Sequence, residues 1–391
     1  MIFYVDTYDT NLAGGRHYAA VAAIKTFMCL MLLHAAPVRA ITRPHAMARV
    51  AVAPNKHGFI LIPSDRAFNP WGFNYGNHGR LLEDFWVKHW STVVRDFKNM
   101  KALGANVVRV HLQYGRFMRA PDKPNRTAFK MLARLLALAR HVGLYLDLTG
   151  LGCYRVADVP KWYNAMNDRQ RWAAQARFWK NVAATCAHHH VIFCYDLINE
   201  PLSSGSRRPP GHWQPKSSFG GYDFMQYIAL NPGHTNREKI AVRWIRAMTA
   251  AIRSQDQNAL ITVGIWPWVP PWGWLSGFVP RVIAPHLDFI AVHIYPQTKH
   301  PHQAMVTLRK CAVGKPVVIE ETFPLSCSAA EERQFLLKSR AIACGWLGHY
   351  DGYTLADYAK LAREHRLTIR QAIYREWEEM FVRLKPRFVR H

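Results

Sequence analysis

Apolar and polar positions follow two alternating patterns along most of the chain. From about residue 57, short and almost continuously apolar runs alternate with longer stretches whose apolar residues recur at helical spacing. The short runs have the length and composition of buried strands, and the longer stretches are typical of amphipathic helices. Continuous apolar strands separated by helices indicate a parallel sheet that is covered on both faces.

The pattern predicts eight strands and a closed barrel. The strand candidates are GFILIP, ANVVRVHL (Ala105–Leu112), LYLDLTG (Leu144–Gly150), VIFCYDLIN (Val191–Asn199), ALITVGIW (Ala259–Trp266), DFIAVHIY (Asp288–Tyr295), KPVVIEE (Lys315–Glu321) and ACGWLGHYDGY (Ala343–Tyr353). WGFNYG (Trp71–Gly76) is interpreted as the first loop. Helices predicted between the strands include 85–103, 129–143, 169–187 and 237–254. We predict the α/β class and a single-domain (β/α)8 TIM barrel, with a long loop insertion (202–235) after strand 4 and a helical C-terminal end. The alternative is a doubly wound sheet, but no glycine-rich phosphate loop follows any strand.

The N-terminus predicts export. Lys25 precedes the apolar run TFMCLMLLHAAPV, and the sequence VRA then ends at Ala40. We interpret residues 1–40 as a signal peptide and 41–391 as the catalytic domain, secreted or periplasmic, because the apolar run is too short to anchor the chain in a membrane. Asp6 and Asp9 fit a signal peptide poorly, and a natural start near Val21 would explain them.

The chain is strongly basic, with 51 Lys and Arg against 26 Asp and Glu and a formal net charge of +25. Such a charge attracts anionic surfaces, acidic polysaccharides or nucleic acid. The cations are scattered and no nucleic-acid-binding motif is present, so we expect no nucleic-acid partner. The seven cysteines form no CxxC pair, and no Cys/His spacing suggests a structural zinc site.

Polar residues collect where the predicted strands end. They include Arg109, His111, Thr149, Asn199, Glu200, Trp266, His293, Tyr295, Glu320 and Glu321. Active sites of (β/α)8 barrels lie at the C-terminal ends of the strands, so these side chains are expected to meet there. Two carboxylates on separate strands suggest glycoside hydrolysis, in which one acts as acid and the other as nucleophile.

LINEP, AVHIYP and KPVVIEETF resemble the motifs of retaining (β/α)8-barrel glycosidases, most closely glycoside hydrolase family 5, the cellulase and mannanase family. The resemblance covers roughly residues 57–355 and implies a role for each matching position. Glu200 matches the general acid/base and Asn199 the partner of the sugar 2-hydroxyl. Arg109 and Tyr295 would contact the nucleophile, and His293 would line the sugar site. No metal or organic cofactor is implied.

The nucleophile and the sugar-stacking residues need further choices. Aligning PVVIEETF with the family motif makes Glu321 the nucleophile, while Glu320 points to the opposite face and could form a salt bridge behind the barrel. Thr149 stands where the family usually has a histidine. Trp346 is the candidate for the tryptophan under the sugar, with His349 and Tyr350 as alternatives. Trp266 leads the run IWPWVPPWGW, a candidate stacking loop that also holds Trp268, Trp272 and Trp274, and Trp213 is a weaker candidate.

The sequence thus predicts a retaining β-glycosidase that hydrolyses a β-linked glucan or mannan, with room for an anionic glycan. Two alternatives remain open: a catalytically silent glycan-binding barrel and a basic, envelope-associated scaffold.

Overall fold

Eight parallel strands close into a barrel in the computed structural model, which describes residues 47–215, 218–266 and 276–389. In chain order the barrel strands 1 to 8 are Trp71–Asn74, Val107–Gln113, Tyr145–Gly152, Ile192–Asn199, Ile261–Ile265, Ile290–His293, Val317–Glu321 and Gly345–His349. Each strand pairs with the next in the sequence, and strand 8 closes onto strand 1. The predicted (β/α)8 barrel is confirmed. The predicted signal peptide lies outside the described residues.

The first barrel strand is not the one that the sequence predicted. Phe59–Ile62, within GFILIP, pairs antiparallel with Arg49–Val52 and Arg66–Phe68 in a separate small sheet. Trp71–Asn74, interpreted as a loop, is barrel strand 1 and is buried along its whole length. Its glycine and asparagine weaken the strand signal, yet both are needed there. A Cβ on Gly72 would lie 1.7 Å from the carbonyl oxygen of Val107 on the neighbouring strand.

Helices surround the barrel and begin and end at local signals in the sequence. The helix Arg126–Val142 begins after Asn125, whose side chain accepts from the backbone N–H of Thr127, and ends at Gly143 in the left-handed conformation, with φ of 75°. The α-helices are Trp90–Ala102, Tyr114–Phe117, Arg126–Val142, Lys161–Asn164, Asp168–Cys186, Arg237–Arg253, Pro280–Ile283, Gln303–Cys311, Ala329–Ser339, Leu355–Arg363 and Ile369–Phe388. Within the described ranges, no helix combines the length and apolar character needed to cross a bilayer.

The N-terminal end of the barrel is closed by an apolar plug. Phe59 from the small sheet contacts Phe193 and Phe289 edge-on, with ring centroids 5.1 and 5.3 Å away. Val50, Leu61 and Phe68 belong to the same buried cluster, together with inward residues at the starts of the strands. Because this end is filled with apolar side chains, the polar interior residues lie toward the C-terminal end.

The insertion after strand 4 is folded rather than free. Pro201–Ser203 pairs with Gln226–Ala229, and Ser218–Phe219 pairs with Tyr222–Asp223. Trp213 is fully buried, with the guanidinium of Arg171 3.9 Å from its ring centre. The weaker prediction that Trp213 offers a sugar-stacking surface is therefore wrong, because the ring anchors the insertion to the helix Asp168–Cys186.

Candidate active site

Arg109 lies at the centre of the polar part of the barrel and is fully buried. Its Nη1 donates to Asn74 Oδ1 at 2.9 Å and to Glu321 Oε1. Its Nη2 donates to Asp196 Oδ2 at 2.7 Å and to Asn199 Oδ1 at 2.9 Å. One guanidinium thus fixes residues from strands 1, 4 and 7, which is the planar, multidentate use for which arginine is suited.

Glu321 is held in its ionised form. The hydroxyl of Tyr295 donates its hydrogen bond to Glu321 Oε2 at 2.5 Å. The same hydroxyl oxygen accepts a hydrogen bond from His349 Nε2 at 3.0 Å. Burial opposes ionisation, but the positive charges of His293 and Arg109 outweigh it and lower the pKa of the Glu321 carboxyl. An ionised carboxylate with a free lone pair can act as a nucleophile.

Glu200 has the opposite electrostatic character. Burial raises the pKa of its carboxyl, and the nearby negative charge of Glu321 acts in the same direction. Its backbone φ is +44°, a left-handed conformation that non-glycine residues adopt rarely and that clusters at functional sites. The turn directs the carboxyl toward His293, whose Nδ1 lies 2.9 Å from Glu200 Oε1. A carboxyl kept neutral near the working pH can donate a proton.

His293 joins the two carboxylates. Its Nδ1 is 2.9 Å from Glu200 and 3.6 Å from Glu321 Oε2, and one oxygen of each carboxylate lies within 4.8 Å of the other. Burial disfavours the charged ring, yet Glu321 and the hydrogen bonds to Glu200 and Glu320 raise the pKa of His293 to about 10. The ring therefore carries a positive charge at neutral pH.

The structure brings six of the predicted residues together: Arg109, Asn199, Glu200, His293, Tyr295 and Glu321. Trp266 lies one residue beyond strand 5 with 37% of its surface exposed. Trp268, Trp272 and Trp274 lie outside the described residues. Thr149 is fully buried.

Trp346 does not lie in the site. Its ring packs on the outside of strand 8 against Trp71 and Phe388, and its Nε1 donates to Ser339 Oγ at 2.8 Å. Along this strand the alternation turns Leu347 and His349 inward, so His349, one of the alternatives, occupies the site instead. The prediction for Trp346 is wrong because strand 8 is buried on both faces and its inward positions cannot be read from apolar residues alone.

Glu320 is not behind the barrel either. It points into the interior, with Oε2 3.4 Å from Arg109 Nη2 and 3.3 Å from His293 Nε2. The pairing between strands 6 and 7 shifts register at this point, so that His293 lies opposite Glu321 after Val292 lies opposite Ile319. This irregularity lets two adjacent glutamates contact the same histidine, against the simple rule of alternation.

Several residues of the site were missed by the sequence reasoning. Asp196 accepts from Arg109 and from the backbone N–H of Gly264 at 2.7 Å. Its signal was present, because a carboxylate inside the apolar run CYDLIN must be paired. Tyr154 donates to or accepts from His111 Nδ1 at 2.6 Å, but it comes from the loop after strand 3 and carries no such signal.

Comparison with known proteins identifies the family of the chain. The model of the family described as cellulase (glycosyl hydrolase family 5) matches residues 68–322. The chain belongs to glycosyl hydrolase family 5. It is therefore a glycoside hydrolase, and the resemblance of its motifs to this family is confirmed. No curated protein matches the chain in a sequence comparison.

Solved structures share the fold of this family 5 enzyme. An exo-β-1,4-mannosidase from Opitutaceae bacterium strain TAV5 has a TM-score of 0.60 at 18% identity, covering 86% of this chain and 62% of that one. The chain thus spans less than two thirds of that protein. An endo-1,4-β-mannanase from Eisenia fetida has a TM-score of 0.55 at 15% identity, with coverage of 83% and 97%. The β-mannanase from the blue mussel Mytilus edulis has a TM-score of 0.55 at 15% identity, with coverage of 86% and 97%.

Proposed function

We propose that this enzyme is a retaining β-glycosidase that cleaves a β-linked mannan or glucan by double displacement. The observation that carries the proposal is the close approach of Glu200 and Glu321, one oxygen of each lying within 4.8 Å of the other. Retaining glycosidases place their carboxyl groups about 5–5.5 Å apart, whereas inverting enzymes leave about 6.5–9.5 Å for a water molecule. A mannan substrate is supported by the structural similarity to an exo-β-1,4-mannosidase and an endo-1,4-β-mannanase.

The first step forms a glycosyl-enzyme intermediate. Glu321 attacks the anomeric carbon with a carboxylate lone pair while the bond from that carbon to the leaving oxygen breaks. Glu200 gives its proton to the leaving oxygen, which departs as an alcohol. The hydrogen bonds from Arg109 and Tyr295 hold Glu321 ionised and oriented for this attack.

The second step releases the sugar. Glu200, now ionised, takes a proton from a water molecule, and the water oxygen attacks the anomeric carbon. The bond to Glu321 breaks and the carboxylate is restored. Two inversions at one carbon retain the β configuration. Imidazolium His293, 2.9 Å from Glu200, stabilises that carboxylate while it is ionised.

The proposal is tested by activity on a panel of β-mannans, β-glucans and uronic-acid polymers, measured for the wild type and for Glu321→Gln. We expect turnover of at least one polymer by the wild type and its abolition by the substitution, with binding to the same polymer retained. Glu376→Gln, an exposed change on the C-terminal helix, is the matched control. Activity of Glu321→Gln at the wild-type rate would contradict the mechanism.

We also propose that the enzyme is exported, which rests on the basic and apolar pattern that ends at Ala40. N-terminal sequencing of the native protein is expected to find a mature chain beginning after Ala40. An intact N-terminus in the cell fraction would contradict export.

A further inference from the structure

Glu320 is a buried carboxylate beside the catalytic pair that the double displacement does not use. It has no exposed surface, and its Oε2 lies 3.3 Å from His293 Nε2 and 3.4 Å from Arg109 Nη2. Its neighbour Glu321 performs the attack, so the chemistry leaves Glu320 without a role. Burial of a carboxylate destabilises a protein unless paired charges and hydrogen bonds offset the loss of solvation. The buried position of Glu320 therefore suggests a role in the site.

Asp147 lies beneath Glu320 in the barrel. Glu320 Oε1 and both carboxyl oxygens of Asp147 are buried without a hydrogen-bond partner among the described residues. One carboxyl oxygen of Asp147, one carboxyl oxygen of Glu320 and Cys194 Sγ all lie within 4.8 Å of one another. Two carboxylates this close do not both ionise, and a single shared proton satisfies them. Burial raises the pKa of Asp147, with the negative charge of Glu320 as the next cause, which favours Asp147 as the protonated member of the pair.

Gly264 on strand 5 leaves the space in which Glu320 meets its two cations. A Cβ at this position would lie 2.9 Å from Glu320 Oε2, 2.9 Å from His293 Nε2 and 3.0 Å from Arg109 Nη2. Any side chain would therefore push these three groups apart. The glycine at position 264 is thus a second observation which indicates that the site accommodates the contact between Glu320 and His293.

We propose that Glu320 is a positioning residue for the acid/base Glu200, acting through His293. Glu320 holds the imidazole ring from the Nε2 side in its charged form, so that Nδ1–H always points at Glu200. The chain of contacts runs from Asp147 through Glu320 and His293 to Glu200. The proposal rests on the proposed function of Glu200. The charged or titratable groups that face His293 from the surrounding strands are Arg109, His111, Glu200, Glu320, Glu321 and His349.

The charge on His293 matters in both steps. While Glu200 carries its proton, the ring donates to Glu200 Oε1 and leaves the other oxygen to protonate the leaving group. When Glu200 is ionised, the imidazolium is its counter-ion. If Glu320 is neutralised, the ring loses the negative charge on its Nε2 side, and we expect the pKa of His293 to fall from about 10 into the working range. Glu200 would then face a neutral ring, and its own pKa would rise.

The sign of this shift provides the test. The basic limb of the pH profile of kcat/KM reports the acid that must remain protonated, here Glu200. In Glu320→Gln, which keeps the shape and an acceptor for Nε2–H, we expect this limb to move to higher pH by about one unit. A limb that stays in place or moves lower, as simple removal of a negative charge near Glu200 would cause, overturns the proposal. Glu378→Gln, a buried carboxyl on the helix Ile369–Phe388, is the matched control and is expected to leave the limb in place.

A second readout does not depend on activity. Long-range proton–nitrogen NMR of the His293 ring is expected to show an imidazolium at pH 8 in the wild type and a neutral ring in Glu320→Gln. A ring charged equally in both proteins overturns the proposal.

Should Glu320→Gln fail to fold, Gly264→Ala tests the same contact, because the added methyl group displaces Glu320 from His293. A wild type inactive on every β-glycan would remove the proposed function, while the NMR result would still decide the link from Glu320 to His293. Elemental analysis completes the test, because a stoichiometric metal ion would overturn the shared proton.

Discussion

At the scale of single residues, the two carboxylates proposed to be catalytic differ because their neighbours differ. Glu321 contacts Arg109 and Tyr295, both of which stabilise its ionised form. The carboxyl of Glu200 contacts His293, and burial raises its pKa. The surroundings of two chemically identical side chains thus support the proposed roles of Glu321 as nucleophile and Glu200 as acid.

This difference predicts the behaviour of Glu200→Ala. Loss of the acid should lower kcat/KM by about 10²–10⁴-fold on a polysaccharide, and by much less on an aryl glycoside whose leaving group needs no proton. The small cavity should admit azide, which attacks the glycosyl-enzyme without help from a base, so azide should restore turnover of the aryl glycoside and yield a glycosyl azide. Glu376→Ala serves as the control. Equal losses on both substrates without rescue would contradict the assignment of Glu200.

The same residues show how far the sequence reaches. Arg109, Asn199, Glu200, His293 and Tyr295 could be predicted because strand ends of a barrel converge and alternate residues share a face. The inward position of Glu320 could not, since it depends on a register shift between strands 6 and 7. A one-residue irregularity in pairing leaves no mark in the pattern of apolar residues.

At the scale of elements, the strands decide which side chains reach the site. Strand 8 turns His349 inward and leaves Trp346 between the barrel and the helix Ile369–Phe388, where Trp346 meets Phe388. Helical periodicity is a longer signal than strand parity, which explains why helices such as Arg237–Arg253 were predicted within a residue or two. Strand 1 was missed because its four residues carry little apolar signal and the more apolar Phe59–Ile62 lies nearby.

The position of Trp346 leads to a paired prediction. Trp346→Leu should lower the free energy of unfolding by about 2 kcal/mol, because it leaves a cavity in the packed outer layer. KM should change less than about twofold. A lost substrate hydrogen bond worth about 1.4 kcal/mol would instead change KM about tenfold. His349→Ala removes the donor to Tyr295 and should instead lower kcat/KM by about tenfold with little change in stability. Chemical denaturation and steady-state kinetics on both variants separate the two effects. A raised KM with normal stability in Trp346→Leu would return this tryptophan to the sugar site.

At the scale of the whole molecule, the barrel combines an apolar plug at one end with a charged interior, and the chain carries a large positive charge. The apolar plug formed by Phe59, Phe193 and Phe289 confines the polar side chains of the interior to the other end of the barrel. The net charge of +25 creates a positive field that attracts anionic polymers over distances set by the salt concentration. The overall architecture followed from the sequence pattern, whereas the plug did not, because its small sheet resembles a further barrel strand.

The net charge predicts a salt response that depends on the substrate. For a β-linked polymer that contains uronic acids, kcat/KM should fall several-fold as the salt concentration rises from about 0.02 to 0.5 M, because the Debye length shortens from about 20 Å to 4 Å. For a neutral β-mannan the same series should change kcat/KM little. An identical response for the two polymers would show that the field of the protein does not steer its substrate.

The central claim is that Glu200 and Glu321 perform a double displacement. Proton NMR of the first product, recorded before mutarotation on the polymer that the wild type hydrolyses, tests it most directly. We predict that the newly formed reducing end appears first as the β-anomer and only later equilibrates. Initial appearance of the α-anomer would mean a single inversion and would contradict the account.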